Sequence, residues 1–200
     1  FNNHGSEVIS KRISNNQPKG ILGINIGPNK DTKNKEEDYY ACLSKLSAYA
    51  SYITINISSP NTEGLRKFHN ENEMEKLLIG LNKVKKNKKI DQPIAIKLSP
   101  DIDDADTSNI VELINKHDIQ GIIVSNTTEN NREKLSDINK NEAGGLSGQP
   151  LKDISTNLIK KFYKETKGKI KIIGVGGVDS GESAFEKITA GADAIQLYTG

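Results

Sequence analysis

Short apolar runs, rich in isoleucine and valine, recur along the chain, and each ends in polar residues or glycine. Near-continuous runs of this length are typical of parallel strands that are buried on both faces. The pattern therefore predicts six strands, within residues 21–27, 52–58, 93–99, 121–127, 170–178 and 193–199.

Segments with the spacing of amphipathic helices separate most of these runs. Their apolar stripes are Met74, Leu77, Leu78, Leu81 and Val84; Ile110, Val111 and Ile114; Ile154, Leu158, Ile159 and Phe162; and Ala184, Phe185 and Ile188. Each stripe is expected to face the core. The alternation of strands and helices predicts an α/β protein with a parallel sheet.

Two architectures fit this alternation, an open doubly wound sheet and a closed (β/α)₈ TIM barrel. The glycines of residues 174–177 match part of a dinucleotide-binding fingerprint, but Asp179 takes the place of its third glycine and the motif comes late in the chain. A barrel gathers the carboxyl ends of its strands around one pocket, which agrees with the polar end of every run. The pattern favours the barrel, with about six of its eight strands present.

Composition narrows the possible functions. The 200 residues carry a net charge of +2 and are 34% hydrophobic, as expected for one globular domain. The basic run at residues 83–89 closes an amphipathic segment, where it suits the negative end of a helix dipole better than a nucleic acid. The single cysteine, Cys42, excludes an intramolecular disulfide, and three scattered histidines predict no metal site. No apolar stretch approaches the roughly 20 residues that span a bilayer.

Polar side chains inside the predicted strands are the first candidates for chemistry. Asn25 and Asn56 each lie between two isoleucines, and a buried amide without a partner costs about 1–3 kcal/mol. Neighbouring backbone would explain one such residue, whereas amides that recur at one barrel mouth favour a ligand. Lys97 requires a negative partner if it points into the barrel, or else lies on an outward face.

Two glycine-rich segments, residues 144–148 and 174–178, could bring backbone N–H groups close to an anion. A tight turn explains either segment alone, but two beside the last strands make a phosphate site at least as good an explanation. Tyr198 and Thr199 could add further donors. Residues 58–62, with the sequence SSPNT, are common turn chemistry, and a serine is a poor base unless its site stabilises the alkoxide.

Residues 56–66, NISSPNTEGLR, resemble the active-site loop of class 2 dihydroorotate dehydrogenases. Further segments resemble motifs of that family in the family's order: residues 24–30, 125–128, 144–148, 173–178 and 196–199. The resemblance covers essentially the whole chain. An ordered set of this kind is far more specific than a single glycine motif.

The resemblance implies an FMN enzyme that oxidises (S)-dihydroorotate to orotate in pyrimidine biosynthesis. Ser59 matches the family's catalytic base, and Thr62 its proton relay. Class 1 relatives carry cysteine at the position of Ser59, so serine indicates class 2, whose members pass electrons to a membrane quinone. The residues that match FMN contacts are Asn25, Asn56, Lys97, Ser125, Gly148, Gly177, Tyr198 and Thr199. Those that match substrate contacts are Phe1, Asn56, Asn61, Asn126 and Thr127.

Residues 1–200 are expected to form an FMN-binding barrel that lacks its N-terminal strands and its C-terminal helix. Phe1 begins a loop-like stretch, and Gly200 follows directly on a strand-like run. The resemblance implies peripheral association with the bacterial cytoplasmic membrane or the mitochondrial inner membrane, through an N-terminal region outside this sequence. We expect these residues alone to expose strand edges, to retain FMN poorly and to show little or no turnover.

Two other functions are compatible with parts of the sequence. A class 1-type flavin barrel that uses fumarate or NAD is disfavoured by Ser59, and assays with different electron acceptors would decide. A non-catalytic barrel that binds a phosphate ligand is disfavoured because a binding-only protein needs no base. The set that argues against it is Asn56, Ser59, Asn61, Lys97 and Asn126.

Overall fold

The computed structural model describes residues 3–130 and 132–200, and its centre is one parallel sheet whose six strands follow each other in chain order. The strands are β1 (Gly23–Ile26), β2 (Tyr52–Asn56), β3 (Ile94–Leu98), β4 (Gly121–Val124), β5 (Lys171–Val175) and β6 (Ala194–Gln196). All six predicted strands are confirmed. Each is shorter than its run, because the polar residues that end the runs lie in the loops beyond the strands.

A helix connects every two consecutive strands, as parallel pairing requires. The helices are α1 (Gly5–Asn15), α2 (Lys35–Leu46), α3 (Glu71–Lys88), α4 (Asp104–Lys116), α5 (Lys152–Thr166) and α6 (Gly181–Thr189). The basic run lies at the carboxyl end of α3, as predicted. None of the helices in the described ranges is long and apolar enough to cross a membrane.

The two faces of the sheet differ in chemistry. One face carries Ile24, Ile53 and Ile94, which are register partners and are buried with the helices in the core. The opposite face carries polar side chains such as Asn25 and Lys97. Strands in chain order, with a polar face opposite the helix-covered one, match a barrel and not a doubly wound sheet, whose two faces are both covered by helices.

The polar face is concave. Lys97 Nζ on β3 donates to Gln196 Oε1 on β6 at 3.4 Å. In a flat sheet these two strands would lie about 14 Å apart, too far for side chains that stand perpendicular to the sheet, so the sheet curls toward this face. The expected TIM-barrel architecture is therefore present as an arc of six strands, and no pairing joins β1 to β6 in residues 3–130 and 132–200.

Three of the four predicted helix stripes are confirmed, and the fourth is wrong. The largest members of the stripes on α3, α4 and α5 are buried, whereas Phe185 and Ile188 of α6 are 67% and 41% exposed. Lys187, a residue of the same helix that the sequence did not single out, is completely buried. The reason is local: α6 packs on the first turn of α5, which presents the hydroxyls of Ser155 and Thr156.

Candidate active site

The carboxyl ends of the strands bring three of the predicted residues onto the concave face. Asn56 and Lys97 are register partners on β2 and β3. Asn25 is the register partner of Thr54, which lies two residues before Asn56 and therefore on the same face. The convergence predicted from the sequence is present, although Asn25 is exposed and not buried.

Asn56 anchors a hydrogen-bond network between the loops that follow β2 and β4. Its Oδ1 accepts from Ser58 N at 3.3 Å, from Ser58 Oγ at 3.1 Å and from Asn126 Nδ2 at 3.3 Å. Asn126 Nδ2 also donates to Ser58 Oγ at 3.0 Å. Because Asn56 Nδ2 has no partner in the described part of the chain, it can donate to a ligand.

The two adjacent serines of the loop after β2 have different environments. Ser58 is fully buried and its hydroxyl belongs to the network around Asn56. Ser59 is half-buried, and its Oγ accepts a hydrogen bond from the backbone N–H of Asn61 at 3.3 Å. An N–H donor aimed at this oxygen stabilises negative charge that develops there. The geometry favours Ser59 over Ser58 as the reactive serine, and Asn61 is exposed beside it.

Arg66 joins three loops around the site. Its Nη1 donates to Asp101 Oδ2 and to Glu129 Oε2, both at 2.8 Å. Its Nη2 donates to the carbonyl oxygen of Thr127 at 3.0 Å, and its Nε to that of Ser58 at 3.4 Å. Arg66 thus ties the loop of Ser59 to the loops after β3 and β4. No local pattern predicts these contacts, because Asp101 and Glu129 lie 35 and 63 residues away from Arg66 along the chain.

Tyr39 of α2 fixes the end of β2 from the other side. Its hydroxyl donates to the carbonyl oxygen of Asn56 at 2.6 Å, and its side chain is fully buried. The ring packs edge-on against Phe68, with centroids 5.9 Å apart. Burial raises the pKa of Tyr39, so it remains a neutral donor. From the sequence alone Tyr39 cannot be distinguished from any other core aromatic residue, so this role was not predicted.

His69 links the same region to β3 in its neutral form. Its Nε2 accepts from the backbone N–H of Ser99 at 3.1 Å, and its Nδ1 lies 3.0 Å from the carbonyl oxygen of Arg66. These partners assign the proton to Nδ1. Burial lowers the pKa of His69, because the charged form is poorly solvated there.

We expect acid to destabilise the full-length protein through His69. The unfolded chain binds this proton first as pH falls below about 6.5, since the folded pKa is lower. The stabilisation is therefore complete above pH 6.5 and is lost as pH falls toward the folded pKa. Urea unfolding from pH 7.5 to 5 should show a smaller loss of stability in His69→Gln than in the unsubstituted protein. His4→Gln, at an exposed site, should lose as much as the unsubstituted protein. An equal loss of stability with falling pH in all three proteins would contradict this prediction.

The loop after β4 holds the next group of predicted residues. Ser125 is buried, and its Oγ donates to the carbonyl oxygen of Asn126 at 3.0 Å. Asn126 Oδ1 accepts from the N–H of Thr127 at 2.8 Å, which fixes the orientation of this amide. Asn126 and Thr127 are therefore held side by side next to the Asn56 network.

A short antiparallel bridge brings the first glycine segment to this loop. The N–H groups of Thr128 and Leu146 donate to each other's carbonyl oxygens at 3.0 and 2.7 Å. A Cβ added at Gly145 would lie 1.8 Å from Thr127 Oγ1, so only glycine permits this approach. Gly148 follows and leads through the 3₁₀ turn Gln149–Leu151 into α5.

The two glycine segments meet at the start of α5 and form what we call the glycine cradle, residues 148–152 and 176–178. A Cβ added at Gly177, whose φ is +66°, would lie 2.6 Å from the backbone N and Cα of Lys152. The backbone N–H groups of Gly176 and Gly177 donate to nothing in the described ranges. Free N–H groups beside a helix start can bind an anion.

Lys97 is a half-buried cation without an acidic partner. Gln196 Oε1 is its one hydrogen-bond acceptor, and no carboxylate of residues 3–130 and 132–200 lies within 4.0 Å of its ammonium group. Burial lowers the pKa of Lys97. Such a side chain on a polar concave face is suited to an anionic or strongly polar ligand.

The remaining predicted residues lie at or beyond the edges of this surface. Tyr198 and Thr199 follow the end of β6 and are exposed, and Gly200 lies against the carbonyl group of Val178 beside the glycine cradle. Phe1 lies outside the described residues. In the described part of the chain, no three His, Cys, Asp or Glu side chains are grouped so that they could hold a metal ion.

The fold and these strand-end residues define a (β/α)-barrel protein with its candidate active site at the carboxyl ends of the strands. The chain belongs to the dihydroorotate dehydrogenase family, whose family model matches residues 1–200. It is 44% identical to a dihydroorotate dehydrogenase (quinone) of Chromobacterium violaceum and 43% identical to one of Idiomarina loihiensis. These matches cover 100% of this chain but 60% and 61% of the relatives, so the chain spans about three fifths of their length.

A solved structure shows the same architecture. The dihydroorotate dehydrogenase of Eimeria tenella, in complex with ferulenol, superposes with a TM-score of 0.86 at 32% sequence identity. The match covers 97% of this chain and 56% of that one. The ligand-free form of the enzyme gives a TM-score of 0.84.

Proposed function

We propose that the full-length protein oxidises (S)-dihydroorotate to orotate in pyrimidine biosynthesis, with FMN as cofactor and a membrane quinone as electron acceptor. One observation carries this proposal: the loop of Ser59 is hydrogen-bonded to the same strand-end surface that presents Asn56, Lys97 and Asn126. Relatives more than 40% identical along the whole chain, named as quinone enzymes, support the choice of acceptor.

The residues present fit FMN. Asn25 and Asn56 offer amides on the concave face, Lys97 offers a cation without an acidic partner, and the glycine cradle offers free N–H groups that suit the phosphate. The proposed set that would hold FMN is Asn25, Asn56, Lys97, Ser125, Gly148, Gly177, Tyr198 and Thr199. When bound, FMN would accept the hydride from C6 of the substrate at its N5 and pass the electrons on to the quinone.

Ser59 is the proposed catalytic base. Its Oγ takes the proton from C5 of dihydroorotate while its own hydroxyl proton leaves, and Thr62 in the same loop is the proposed next acceptor. The N–H of Asn61 supports this role, because it stabilises negative charge on Oγ. Arg66 holds the loop in place during the transfer.

Amides and a hydroxyl on the adjacent loops would bind the substrate. Planar pyrimidines present alternating carbonyl and N–H groups, which asparagine side chains can match as both donors and acceptors. The proposed substrate contacts are Phe1, Asn56, Asn61, Asn126 and Thr127. For the location of the enzyme, we propose peripheral association with the bacterial cytoplasmic membrane or the mitochondrial inner membrane, through a part of the protein outside these 200 residues.

Assays of the full-length protein with different electron acceptors test this function. We expect a yellow protein with the absorption bands of FMN, and turnover of dihydroorotate with a short-chain ubiquinone but not with fumarate or NAD. Turnover with fumarate or NAD would instead assign the class 1 reaction. A protein that binds flavin but is not reduced by dihydroorotate would be a phosphate-ligand barrel without this activity.

A further inference from the structure

Lys187 of α6 points into the protein, and its side chain is completely buried. Its Nζ donates to Ser155 Oγ at 2.5 Å, to Thr156 Oγ1 at 3.0 Å and to the carbonyl oxygen of Lys152 at 3.3 Å. All three acceptors are neutral, and all three belong to the first turn of α5. The ammonium group therefore has three hydrogen-bond acceptors, but none of them carries a negative charge.

No acidic group of the described residues compensates this charge directly. Glu186, the neighbour of Lys187 on α6, pairs with Lys152, at 2.9 Å between Oε2 and Nζ. The start of a helix is also the positive end of its dipole, so the charge of Lys187 lies where a cation is least favourable. Burial lowers the pKa of Lys187 to about 8, which leaves it mostly charged at neutral pH.

Lys187 lies directly behind the glycine cradle. Ser155, which accepts from its ammonium group, donates to the carbonyl oxygen of Gly176 at 3.1 Å. Gly177 packs on the backbone of Lys152, whose carbonyl oxygen Lys187 also contacts. A buried cation, a helix start and two free N–H groups therefore meet in one place, where the carboxylate of Glu186 already pairs with Lys152.

We propose that Lys187 is a positioning residue for the cofactor phosphate: its buried charge stabilises a phosphate monoester bound in the glycine cradle, without contacting it. The inference rests on the proposed function, because FMN is the phosphate monoester concerned. Lys187 would thus contribute to FMN affinity from α6, although the start of α5 separates it from the phosphate.

The substitution Lys187→Met removes the charge of this side chain but largely preserves its packing. The methionine side chain fills a similar volume, and the hydroxyls of Ser155 and Thr156 keep their own acceptors, the carbonyl oxygens of Gly176 and Lys152. Removal of a buried charge that lacks a counter-ion costs the fold little and can stabilise it. Lys187→Met should therefore fold with unchanged or higher thermal stability.

The test compares FMN with riboflavin, which lacks the phosphate. The apoprotein of the full-length enzyme is titrated with each flavin by fluorescence quenching. We expect Lys187→Met to weaken the binding of FMN about tenfold or more, and that of riboflavin hardly at all. Lys164→Met removes the same charge from an exposed position on α5 and should change neither affinity.

A pH series gives an independent readout. As pH rises from 7 to 9.5, the unsubstituted apoprotein should lose affinity for FMN while Lys187 deprotonates, and Lys187→Met should lack this dependence. Three charged groups face Lys187 from α5 and α6. They are Glu186, Asp153 and Lys152, and the hydrogen bond from Lys152 to Glu186 holds the pKa of Lys152 above its usual value.

Each other outcome has a defined meaning. Equal weakening of FMN and riboflavin, with a lower melting temperature, would make Lys187 a structural residue and overturn the inference, as would unchanged FMN affinity. Failure of the proposed function shows differently, as a lack of dihydroorotate turnover in an unsubstituted protein that still binds FMN. An unsubstituted protein that binds neither flavin would overturn both.

Discussion

Replacement of Ser59 by alanine in the full-length protein is expected to lower kcat for dihydroorotate oxidation by about 10²–10⁴-fold, the usual contribution of a general base. Alanine removes the oxygen that accepts the C5 proton but leaves the surrounding loop intact, because Ser59 Oγ makes only one hydrogen bond, from Asn61 N, in the described part of the chain. The variant should keep its FMN absorption bands. Stopped-flow measurement of flavin reduction by dihydroorotate would place the loss in the chemical step.

Ser108→Ala is the matched control for this variant, since Ser108 is an exposed serine on α4, away from the strand ends. It should retain full activity. If Ser59→Ala reduces flavin as fast as the unsubstituted protein does, Ser59 has no part in proton transfer. Loss of FMN from Ser59→Ala would instead indicate that the residue supports the cofactor site.

Arg66→Ala is expected to have the second largest effect. It removes four hydrogen bonds that tie three loops together, and it leaves the carboxylate of Asp101, 11% exposed, without its cation. Breaking a buried ion pair from one side costs about 3–5 kcal/mol, and partial exposure of Arg66 reduces this to roughly 2–3 kcal/mol. Urea unfolding would measure that loss. We also expect kcat to fall at least about tenfold, because displacement of the Ser59 loop disrupts the reacting geometry.

A second substitution tests the cause of the instability. Asp101→Asn in the Arg66→Ala background removes the uncompensated charge and should restore part of the lost stability, but not the activity. Lys67→Ala, which removes the exposed cation next to Arg66, should change neither quantity. If Arg66→Ala retains normal activity and stability, the three loops are positioned by other contacts.

The fold was largely predictable from the sequence, because strands and helices leave local periodic patterns. Six apolar runs marked six strands, and the apolar spacing on α3, α4 and α5 marked the faces that are buried. The one wrong face, on α6, shows the limit of such patterns. A helix normally buries its apolar residues, but the neighbour of α6 is the hydroxyl-rich first turn of α5, and a lysine is buried there instead.

The candidate site was predictable in its residue types, because polar residues that end buried strands of a barrel must meet at one rim. Asn25, Asn56 and Lys97 were recognised in this way, and the ordered motifs indicated the family. The resemblance of the Ser59 loop to class 2 members also led to the prediction that Ser59 is the catalytic base, and that remains a prediction. Both inferences depend on local spacing and on residue identity, which the chain carries without folding.

Only the tertiary structure decided which of these residues are buried, and which groups form hydrogen bonds or ion pairs with them. It separated buried Ser58 from half-buried Ser59, gave Arg66 its acidic partners and placed Lys187 behind the glycine cradle. Each of these contacts joins groups that different strands and helices bring together from distant parts of the chain. Their energies depend on distance and burial, which no local pattern of residues encodes.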